Sequence, residues 1–456
     1  MLAIAGCIAV IVTDPLIGSL APGPSPETIP PVRMDVEIMG RALVGADSIA
    51  LSEAQAEQNM TGLLEPLGTL DELLAEEPSF ERSAALATYV RVSMLRMEVG
   101  DIDAARSDLE LLAASDTLPA TLPQDVQTIR DILAGGADAV PSDRRDLLVE
   151  HHGWPGRVAI AFGVSDTDPA RQRIESDGGR AFGVLVVVGF GAIIAFAAGL
   201  LLFVLGSILF FTGRITPVHA RLRPDPTSAV SRIALETFVL FIFCFALFKI
   251  LGTGLAMTPV GASPAFGIVI YIAQWMLALT MLWPLARGMR MRDIAPAFAL
   301  GRGRGVIHET VMGFLAYLAG LPIFVGAVLF MLVLVWVTGI SPSHPVTDRA
   351  GGAGVLDALL LLSMVALWAP IVEEMVFRGA LLHHTQHWAG AIGASLITGF
   401  IFAAIHPQGF VAIPPLMALG FNFALMRIWR GSLIAPMVAH AIHNSVLVTM
   451  LLLLLS

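Results

Sequence analysis

Charged side chains are scarce in this chain, making up 14% of its 456 residues, whereas an ordinary soluble domain has about 25%. Apolar residues account for 56%, and the mean hydropathy is +0.77. A soluble chain of this size could not bury so much apolar surface. The composition therefore argues against a soluble enzyme, a disordered chain and a nucleic-acid-binding protein. It predicts a polytopic membrane protein that is surrounded by lipid.

Cysteine is also nearly absent. The two cysteines, Cys7 and Cys244, both lie in apolar runs. Such usage excludes a disulfide framework and a thiolate metal site. Both residues are predicted to be small buried hydrophobic side chains.

The few charges are unevenly distributed along the chain. Residues 22–180 hold 28 acidic residues and 13 arginines, a net charge of −15, whereas residues 181–456 have a net charge of +6. This asymmetry predicts an acidic helical domain in water over 22–180 and a membrane-embedded part after it. Residues 151–180, which are rich in Gly, Asp and Arg, are predicted to be a linker.

The first residues lack the basic segment that opens a signal peptide. Residues 1–21 are apolar except at Asp14, followed by Pro15, and they are predicted to form a membrane anchor. A signal segment, uncleaved or trimmed, is the alternative. Within the acidic domain, residues 83–114 show helical spacing on both sides of a Gly100-Asp101 turn, as in one tetratricopeptide-like hairpin. A small helical bundle explains the same pattern equally well.

Long apolar runs follow residue 181, and their lengths approach the roughly 20 residues that cross a bilayer. With the N-terminal anchor they give about eight to nine transmembrane helices and an all-α fold, because barrel strands would alternate and be shorter. Runs within 181–345 have no assigned role. The eight runs are 184–211, 237–251, 268–286, 312–338, 355–372, 389–405, 411–426 and 432–455.

Arginine predicts the orientation of these helices. Residues 212–232 hold four arginines and residues 287–304 hold five, whereas residues 252–266 carry no charge. The positive-inside rule places the two arginine-rich loops in the cytoplasm. We therefore expect an integral protein of the bacterial inner membrane, with residues 22–180 outside the cytoplasm.

Three charged residues interrupt the C-terminal apolar runs at Glu373, Glu374 and Arg378. A charge at the bilayer centre costs roughly 2.5–3.5 kcal/mol on insertion scales. On a helix, Glu374 and Arg378 lie four residues apart and can pair. Glu373 points about 100° away and has no cation nearby in sequence, which suits a general base. An interfacial ion cluster that caps a span is the alternative, and Arg427 and Arg430 are interpreted as topology anchors.

Two further polar positions occur on later runs. His406 ends one run and precedes Pro407, while His440 and Asn444 are four residues apart and point the same way from the last helix. These residues predict a polar cavity inside the membrane part. A satisfied helix end at His406 and an interhelical packing pair on the last helix are the alternatives.

Together, Glu-Glu-x-x-x-Arg at 373–378, Phe-x-x-x-His at 402–406 and His-x-x-x-Asn at 440–444 resemble the CAAX prenyl endopeptidase type II family. This family of intramembrane proteases is also called CPBP or Abi. The resemblance covers residues 355–450 and makes 346–456 the protease core.

The resemblance implies a role for each of the matched residues. Glu373 and His406 would hold and deprotonate a water, Glu374 and Arg378 would form a supporting ion pair, and His440 and Asn444 would donate to an oxyanion. The implied substrate is a peptide or protein that is prenylated or membrane-embedded.

Metal dependence is left open by the residues. Glu373, His406 and His440 could bind Zn²⁺ with a water as fourth ligand, although the oxyanion interpretation needs no metal and is preferred. A site-2-type metalloprotease fits badly, because the nearest approach to His-Glu-x-x-His begins at His308 and lacks the second histidine.

Strict alternation of the spans conflicts with this site, because it places His406 at the opposite membrane face from His440. A helical extension over 378–388, followed by a short or tilted span, would bring His406 to mid-membrane. The competing functional hypothesis is a non-catalytic scaffold, immunity-type or transport protein that uses the same polar cavity.

Overall fold

The computed structural model describes residues 29, 32–46, 53–215, 228–261, 263, 266–340 and 355–455. All regular structure in these residues is helical, and seven helices are long and apolar enough to cross a membrane. The predicted all-α polytopic fold is thereby confirmed. The predicted anchor over residues 1–21 lies outside the described residues. The described residues divide into two compact units, one within 22–189 and 450–456 and the other within 190–449.

The acidic unit is built from helices around one apolar core. Its central helix is α4, in which 15 of the 19 residues are buried. Within the described residues the helices are α1 (Met34–Ala46), α2 (Glu53–Leu64), α3 (Leu70–Ala75), α4 (Phe80–Glu98), α5 (Ile102–Ala113), α6 (Leu122–Gly135) and α7 (Ser142–Ala161), with short 3₁₀ turns at Glu65–Leu67 and Ala137–Ala139.

Helices α4 and α5 form a hairpin where the sequence predicts one. Gly100 has φ +88° in the turn, a conformation that favours glycine, and α5 begins at Ile102. Helix α6 packs on α5, and α7 packs on both α4 and α6, so the four helices form a bundle.

The segment 151–180, predicted as a linker, is helical over most of its length. Helix α7 continues to Ala161 and the next helix starts at Pro169. The reason is apolar burial, since Trp154 and Val158 are 1% and 0% exposed in the core of the unit. The many glycines and charged residues of the segment are typical of a linker, so its composition did not indicate these buried contacts.

The membrane unit begins within a 43-residue helix. Ser228 caps α9, its Oγ accepting a hydrogen bond from the Ser231 backbone N–H, and Gly339 ends α13 at φ +69°. The helices before residue 340 are α8 (Pro169–Phe211), α9 (Ala229–Ala256), α10 (Phe266–Met276) with the 3₁₀ segment Leu277–Leu282, α11 (Trp283–Ala286), α12 (Met291–Ala297) and α13 (Val306–Thr338).

Two of the predicted runs, 355–372 and 389–405, belong to one helical segment, Val355–Ala404. Counted as one, this segment gives seven candidate spans where the sequence predicts eight after residue 181. The segment contains two stretches of π-helix. In order it comprises α14 (Val355–Leu362), π1 (Ser363–Trp368), α15 (Ala369–Glu373), π2 (Glu374–Leu381) and α16 (Leu382–Ala404).

The stretch labelled α16 consists of two helices that meet at a kink at Gly390, where the chain reverses direction. This residue has φ +66° and ψ −174°, and the rings of Phe377 and Phe402 on either side of it meet with centroids 5.3 Å apart. Glu373 and His406 lie at nearly equal distances along the chain from Gly390, so the reversal brings them to the same level. It removes the conflict that strict alternation of spans creates for His406.

Helices α17 (Ile413–Arg430) and α18 (Ile434–Leu455) complete the unit. Helix α17 packs closely against α16, because a Cβ on Gly420 would lie 2.7 Å from the Cα of Gly399. Small residues allow such approach between membrane helices. Helix α13 covers the other side of α17, where Asn422 Nδ2 donates to the Gly320 carbonyl at 3.2 Å.

Candidate functional site

The buried ion pair of Glu374 and Arg378 lies at the centre of the C-terminal helices. Both side chains are 0% exposed, and Arg378 Nη1 donates to Glu374 Oε1 at 2.9 Å. Arg378 Nη2 donates to the Gly420 carbonyl on α17 at 3.1 Å. Burying two charges is costly unless they are paired and hydrogen-bonded, and this pair satisfies both conditions while joining π2 to α17.

Three phenylalanine rings surround the Arg378 guanidinium. Its Cζ lies 4.7 Å from the ring centroid of Phe402, 5.3 Å from that of Phe423 and 5.8 Å from that of Phe377. The negative faces of aromatic rings attract a cation, more strongly where water is excluded. The arginine is therefore fixed by three helical segments, π2, α16 and α17.

His440 on α18 bonds the same carboxylate oxygen as Arg378. Its Nδ1 is 2.9 Å from Glu374 Oε1, and its ring stacks on Phe423 with centroids 5.1 Å apart. An ionised carboxylate only accepts hydrogen bonds, so Nδ1 carries the proton. Nε2 is thereby directed at Glu373, with its nitrogen 3.9 Å from Glu373 Oε2. A carboxylate that orients a histidine in this way fixes its tautomer.

Glu373 differs from its neighbour in exposure and in contacts. Its side chain is 17% exposed, and Oε2 has no hydrogen-bond partner among the described residues. It ends α15, after which the backbone changes to the wider π2 turn. Such π turns are frequent at functional sites. Here the two successive carboxylates lie in different environments. Glu374 is enclosed in protein, while Glu373 borders a cavity.

That cavity has a volume of about 540 Å³ and also borders His406. His406 Nδ1 lies 2.6 Å from the Phe402 carbonyl, which can only accept, so Nδ1 donates and the lone pair of a neutral ring lies on Nε2. The structure thus places Glu373 and His406 along one cavity. Its other walls come mainly from α9, α10, π1 and π2 and include six aromatic side chains.

Asn444 is engaged elsewhere. Its Nδ2 donates to the Val365 carbonyl in π1 at 2.8 Å, and the residue does not border the cavity. The wider π turn displaces the regular backbone hydrogen bonds, and Asn444 supplies a donor to one of the carbonyls there. Its predicted role as an oxyanion donor would require this bond to be exchanged.

The three residues considered as possible zinc ligands are not arranged around one point. In the described ranges, no three His, Cys, Asp or Glu side chains are placed to hold a metal ion. Zinc requires at least three protein donors at about 2.0–2.3 Å. Glu373, His406 and His440 as they stand do not fit the metal, so the chemistry considered below uses these side chains alone.

A second buried ion pair lies on the arginine-rich side of the unit. Arg430 Nε and Nη2 donate to the two carboxylate oxygens of Glu309 at 2.8 Å each, and the Arg304 backbone N–H donates to Glu309 Oε1 at 3.0 Å. Arg430 therefore joins α17 to α13. Arg427 is 5% exposed and donates to the Ala297 carbonyl at 3.4 Å. In the sequence, the one feature that indicates this pair is Glu309, a single carboxylate at the start of the apolar helix α13.

Residues 355–446 match the family described as "Type II CAAX prenyl endopeptidase Rce1-like". The range includes all six predicted site residues, and it agrees with the resemblance to the CPBP family. The C-terminal part of the chain is therefore similar to this family over residues 355–446.

Two curated proteins are similar to this chain. An "Uncharacterized 24.3 kDa protein" of Escherichia coli is 26% identical over 198 residues, which cover 37% of this chain and 91% of that protein. The "Uncharacterized protein YpbD" of Bacillus subtilis (strain 168) is 29% identical over 121 residues, 25% of this chain. The chain spans 58% of the length of YpbD. No solved structure matches the chain.

Proposed function

We propose that this protein is an intramembrane endopeptidase in which Glu373 and His406 activate a water for attack on a peptide bond. The observation that carries this proposal is the position of both side chains along one mainly apolar cavity, beside the buried group formed by Glu374, Arg378 and His440. The similarity to the Rce1-like family supports the same class of activity.

Glu373 acts as the general base. Its carboxylate takes a proton from the water while the oxygen of that water bonds to the peptide carbon. His406, fixed through Nδ1, holds the water through Nε2. Glu373 then returns the proton to the leaving nitrogen as the carbon–nitrogen bond breaks, giving a carboxylic acid and an amine. A positioned base of this kind contributes typically 10²–10⁴-fold to a rate.

Glu374, Arg378 and His440 act as positioning residues in this proposal. The Glu374 carboxylate holds the His440 ring so that Nε2 stays 3.9 Å from Glu373 Oε2. The resemblance assigns oxyanion donation to His440 and Asn444, and this assignment remains part of the proposal. In an apolar cavity each of these electrostatic interactions is stronger than in water.

The apolar walls favour a peptide or protein substrate that is prenylated or lies in the membrane. We further propose that the protein resides in the bacterial inner membrane with its acidic unit outside the cytoplasm, since the loops 212–232 and 287–304 are arginine-rich.

The test is cleavage by the full-length protein reconstituted in liposomes. Wild type should cleave membrane peptides, and Glu373→Gln and His406→Ala should abolish cleavage while leaving insertion and thermal unfolding unchanged. Asp357→Asn, an exposed carboxylate at the start of the same helical segment, is the matched control and should remain active. Full activity of Glu373→Gln would refute the proposal. Tight binding of a solute with no turnover by wild type would favour a scaffold or transport function.

A further inference from the structure

The arginine-rich stretch of the membrane unit presents exposed charge and exposed apolar groups side by side. All five arginines of residues 287–304 are exposed, and Asp293 is the one acidic residue in that stretch. Met291, Val306 and Ile307 are also exposed, by 57%, 51% and 83%. Such a mixture suits the boundary between lipid headgroups and acyl chains, where arginines meet phosphate and apolar side chains meet hydrocarbon.

Two of these arginines keep their donors open to a ligand. Arg287 already pairs with Glu236 at 2.9 Å. Arg302 and Arg304, by contrast, have side chains that make no hydrogen bond or ion pair with the part of the chain that the structure describes. They alternate with glycines in the sequence Gly-Arg-Gly-Arg-Gly over 301–305. The planar guanidinium matches the geometry of a phosphate, to which it can donate two parallel hydrogen bonds.

The backbone that precedes these two arginines is held in a strained conformation. Ala299 has φ +54° and is the one non-glycine residue with positive φ among those described. Its carbonyl accepts from the Leu433 backbone N–H at 2.9 Å, and the Gly301 carbonyl accepts from Ser432 Oγ at 2.8 Å. Strained residues persist where their surroundings determine them, and they are frequent in segments with a function. The loop is thus fixed to the start of α18.

The same loop also packs on π2. Phe298 is 2% exposed, and a Cβ on Gly379 would lie 3.3 Å from both its Cδ1 and its carbonyl oxygen. Gly379 directly follows Arg378, and α18 carries His440. The loop therefore contacts both of the helical elements that hold these two residues of the candidate site.

We infer that the exposed arginines of residues 287–304, above all Arg302 and Arg304, bind the headgroups of anionic phospholipids, and that this binding holds the loop against π2 and α18. The inference rests on the proposed orientation, in which the loop faces the cytoplasmic leaflet, where anionic lipids attract arginine. Lipid is favoured over an acidic protein or a nucleic acid because the exposed apolar side chains beside the arginines would contact acyl chains.

The lipids that the full-length protein retains test the first part of the inference. The protein is reconstituted in liposomes that contain phosphatidylglycerol and phosphatidylcholine with the same acyl chains. It is then released into mild detergent, and its bound lipids are counted by native mass spectrometry. One arginine near an anionic surface changes binding by about fivefold. Arg302→Gln combined with Arg304→Gln should therefore lower the ratio of retained phosphatidylglycerol to phosphatidylcholine by at least about tenfold.

A matched control removes the same charge elsewhere. Arg157→Gln combined with Arg173→Gln replaces two exposed arginines of the acidic unit and should leave the ratio unchanged. Glycerol 3-phosphate, which carries the anion without acyl chains, should not displace the retained lipid. Displacement by glycerol 3-phosphate would assign the surface to a soluble phosphate and overturn the lipid assignment. Equal retention of both lipids by wild type, or an equal loss in the two double variants, would overturn the inference as well.

Hydrogen exchange tests the contact with the candidate site. The backbone of π2 should exchange more slowly in nanodiscs of phosphatidylglycerol than in nanodiscs of phosphatidylcholine. This difference should vanish when Arg302 and Arg304 are both replaced by Gln. Equal exchange in the two lipids would overturn the second part of the inference. None of these measurements needs cleavage, so an inactive wild type would count against the proposed peptidase alone.

Discussion

Arg378 and His440 share one acceptor, Glu374 Oε1, with both nitrogen-to-oxygen distances at 2.9 Å. One carboxylate oxygen thus joins residues that are 62 positions apart in the chain. The arginine balances the charge of Glu374. The histidine is held by Glu374 through Nδ1 and lies beside Glu373 through Nε2. Stability and, in the proposed mechanism, chemistry therefore depend on the same oxygen atom.

This shared acceptor predicts different outcomes for single and double substitutions. Arg378→Met leaves a buried carboxylate without its cation and should destabilise the protein by about 3–5 kcal/mol. Glu374→Met combined with Arg378→Met removes both charges and should restore most of that stability, yet peptidase activity should stay lost because His440 has no acceptor. Chemical unfolding in detergent and liposome cleavage measure the two effects. Recovery of activity in the double variant would contradict a positioning role.

Sequence spacing identified part of this arrangement and missed the remainder for a physical reason. The separation of four residues between Glu374 and Arg378 sufficed to predict their pairing, because both lie on one helical segment. The level of His406 depended on the reversal at Gly390, and nothing distinguishes that glycine locally from the other glycines of the apolar runs. The rings of Phe423 and Phe241 reach the site only through packing between helices, which a helical period does not encode.

Asn444 offers a test between two roles. If its bond to the Val365 carbonyl is structural, Asn444→Leu should leave a buried acceptor unsatisfied and lower stability by roughly 1–3 kcal/mol. If Asn444 is instead an oxyanion donor, its loss should lower kcat by about 10²–10³-fold and leave stability intact. We expect the loss of stability. Unfolding curves and kcat measured on the same preparation distinguish the outcomes, and Ser445→Ala on the neighbouring position serves as control.

The contact between α16 and α17 predicts sensitivity to a single added methyl group. A Cβ at Gly399 would lie 2.9 Å from both the Met417 carbonyl oxygen and the Phe421 nitrogen, which is backbone that cannot rotate away. Gly399→Ala should therefore separate the helices, shift Gly420 away from Arg378 and lower the unfolding temperature. Gly326→Ala on α13, where nothing lies within 4 Å, should be neutral. Equal unfolding temperatures for both variants would show that the helix pair is looser than described.

The acidic unit should lose stability as the pH falls. His152 is 0% exposed, with Nε2 3.2 Å from Asp125 Oδ2, and burial lowers the pKa of His152 below its ordinary 6.5. The unfolded chain then binds more protons than the folded one. Stability is therefore complete above about pH 6.5 and decreases as the pH drops below that value.

Hydrogen exchange of α6 and α7 in the full-length protein, corrected for intrinsic rates, measures this effect. Protection should fall between about pH 7 and about pH 5, and His152→Gln should have a flatter profile because it lacks the titrating ring. Protection that rises on acidification would reverse the sign and refute the assignment.

The charge distribution makes a prediction about access to the cavity. The cavity beside Glu373 and His406 reaches Ala256, which lies within the charge-free stretch 252–266, and the positive-inside rule places that stretch outside the cytoplasm. In a background with Cys7 and Cys244 replaced, Ala256→Cys should react with an impermeant maleimide added to spheroplasts. Arg290→Cys, an exposed position in the arginine-rich loop, should react only after lysis. The opposite pattern would place the cavity opening in the cytoplasm.

The reversal at Gly390 also changes how the helices should be counted as crossings. From the reversal to Ala404 the chain rises about 21 Å, less than the roughly 30 Å of a hydrocarbon core. We therefore expect this stretch and α17 to enter and leave by the same face as a re-entrant pair, which is tolerated where protein encloses it. Such a pair would remove two crossings together, so the expected sidedness of both chain ends would be unchanged. A topology reporter at the C-terminus would not detect this pair, because the sidedness of the C-terminus is the same with or without it. A reporter in the turn at 405–409 would detect it.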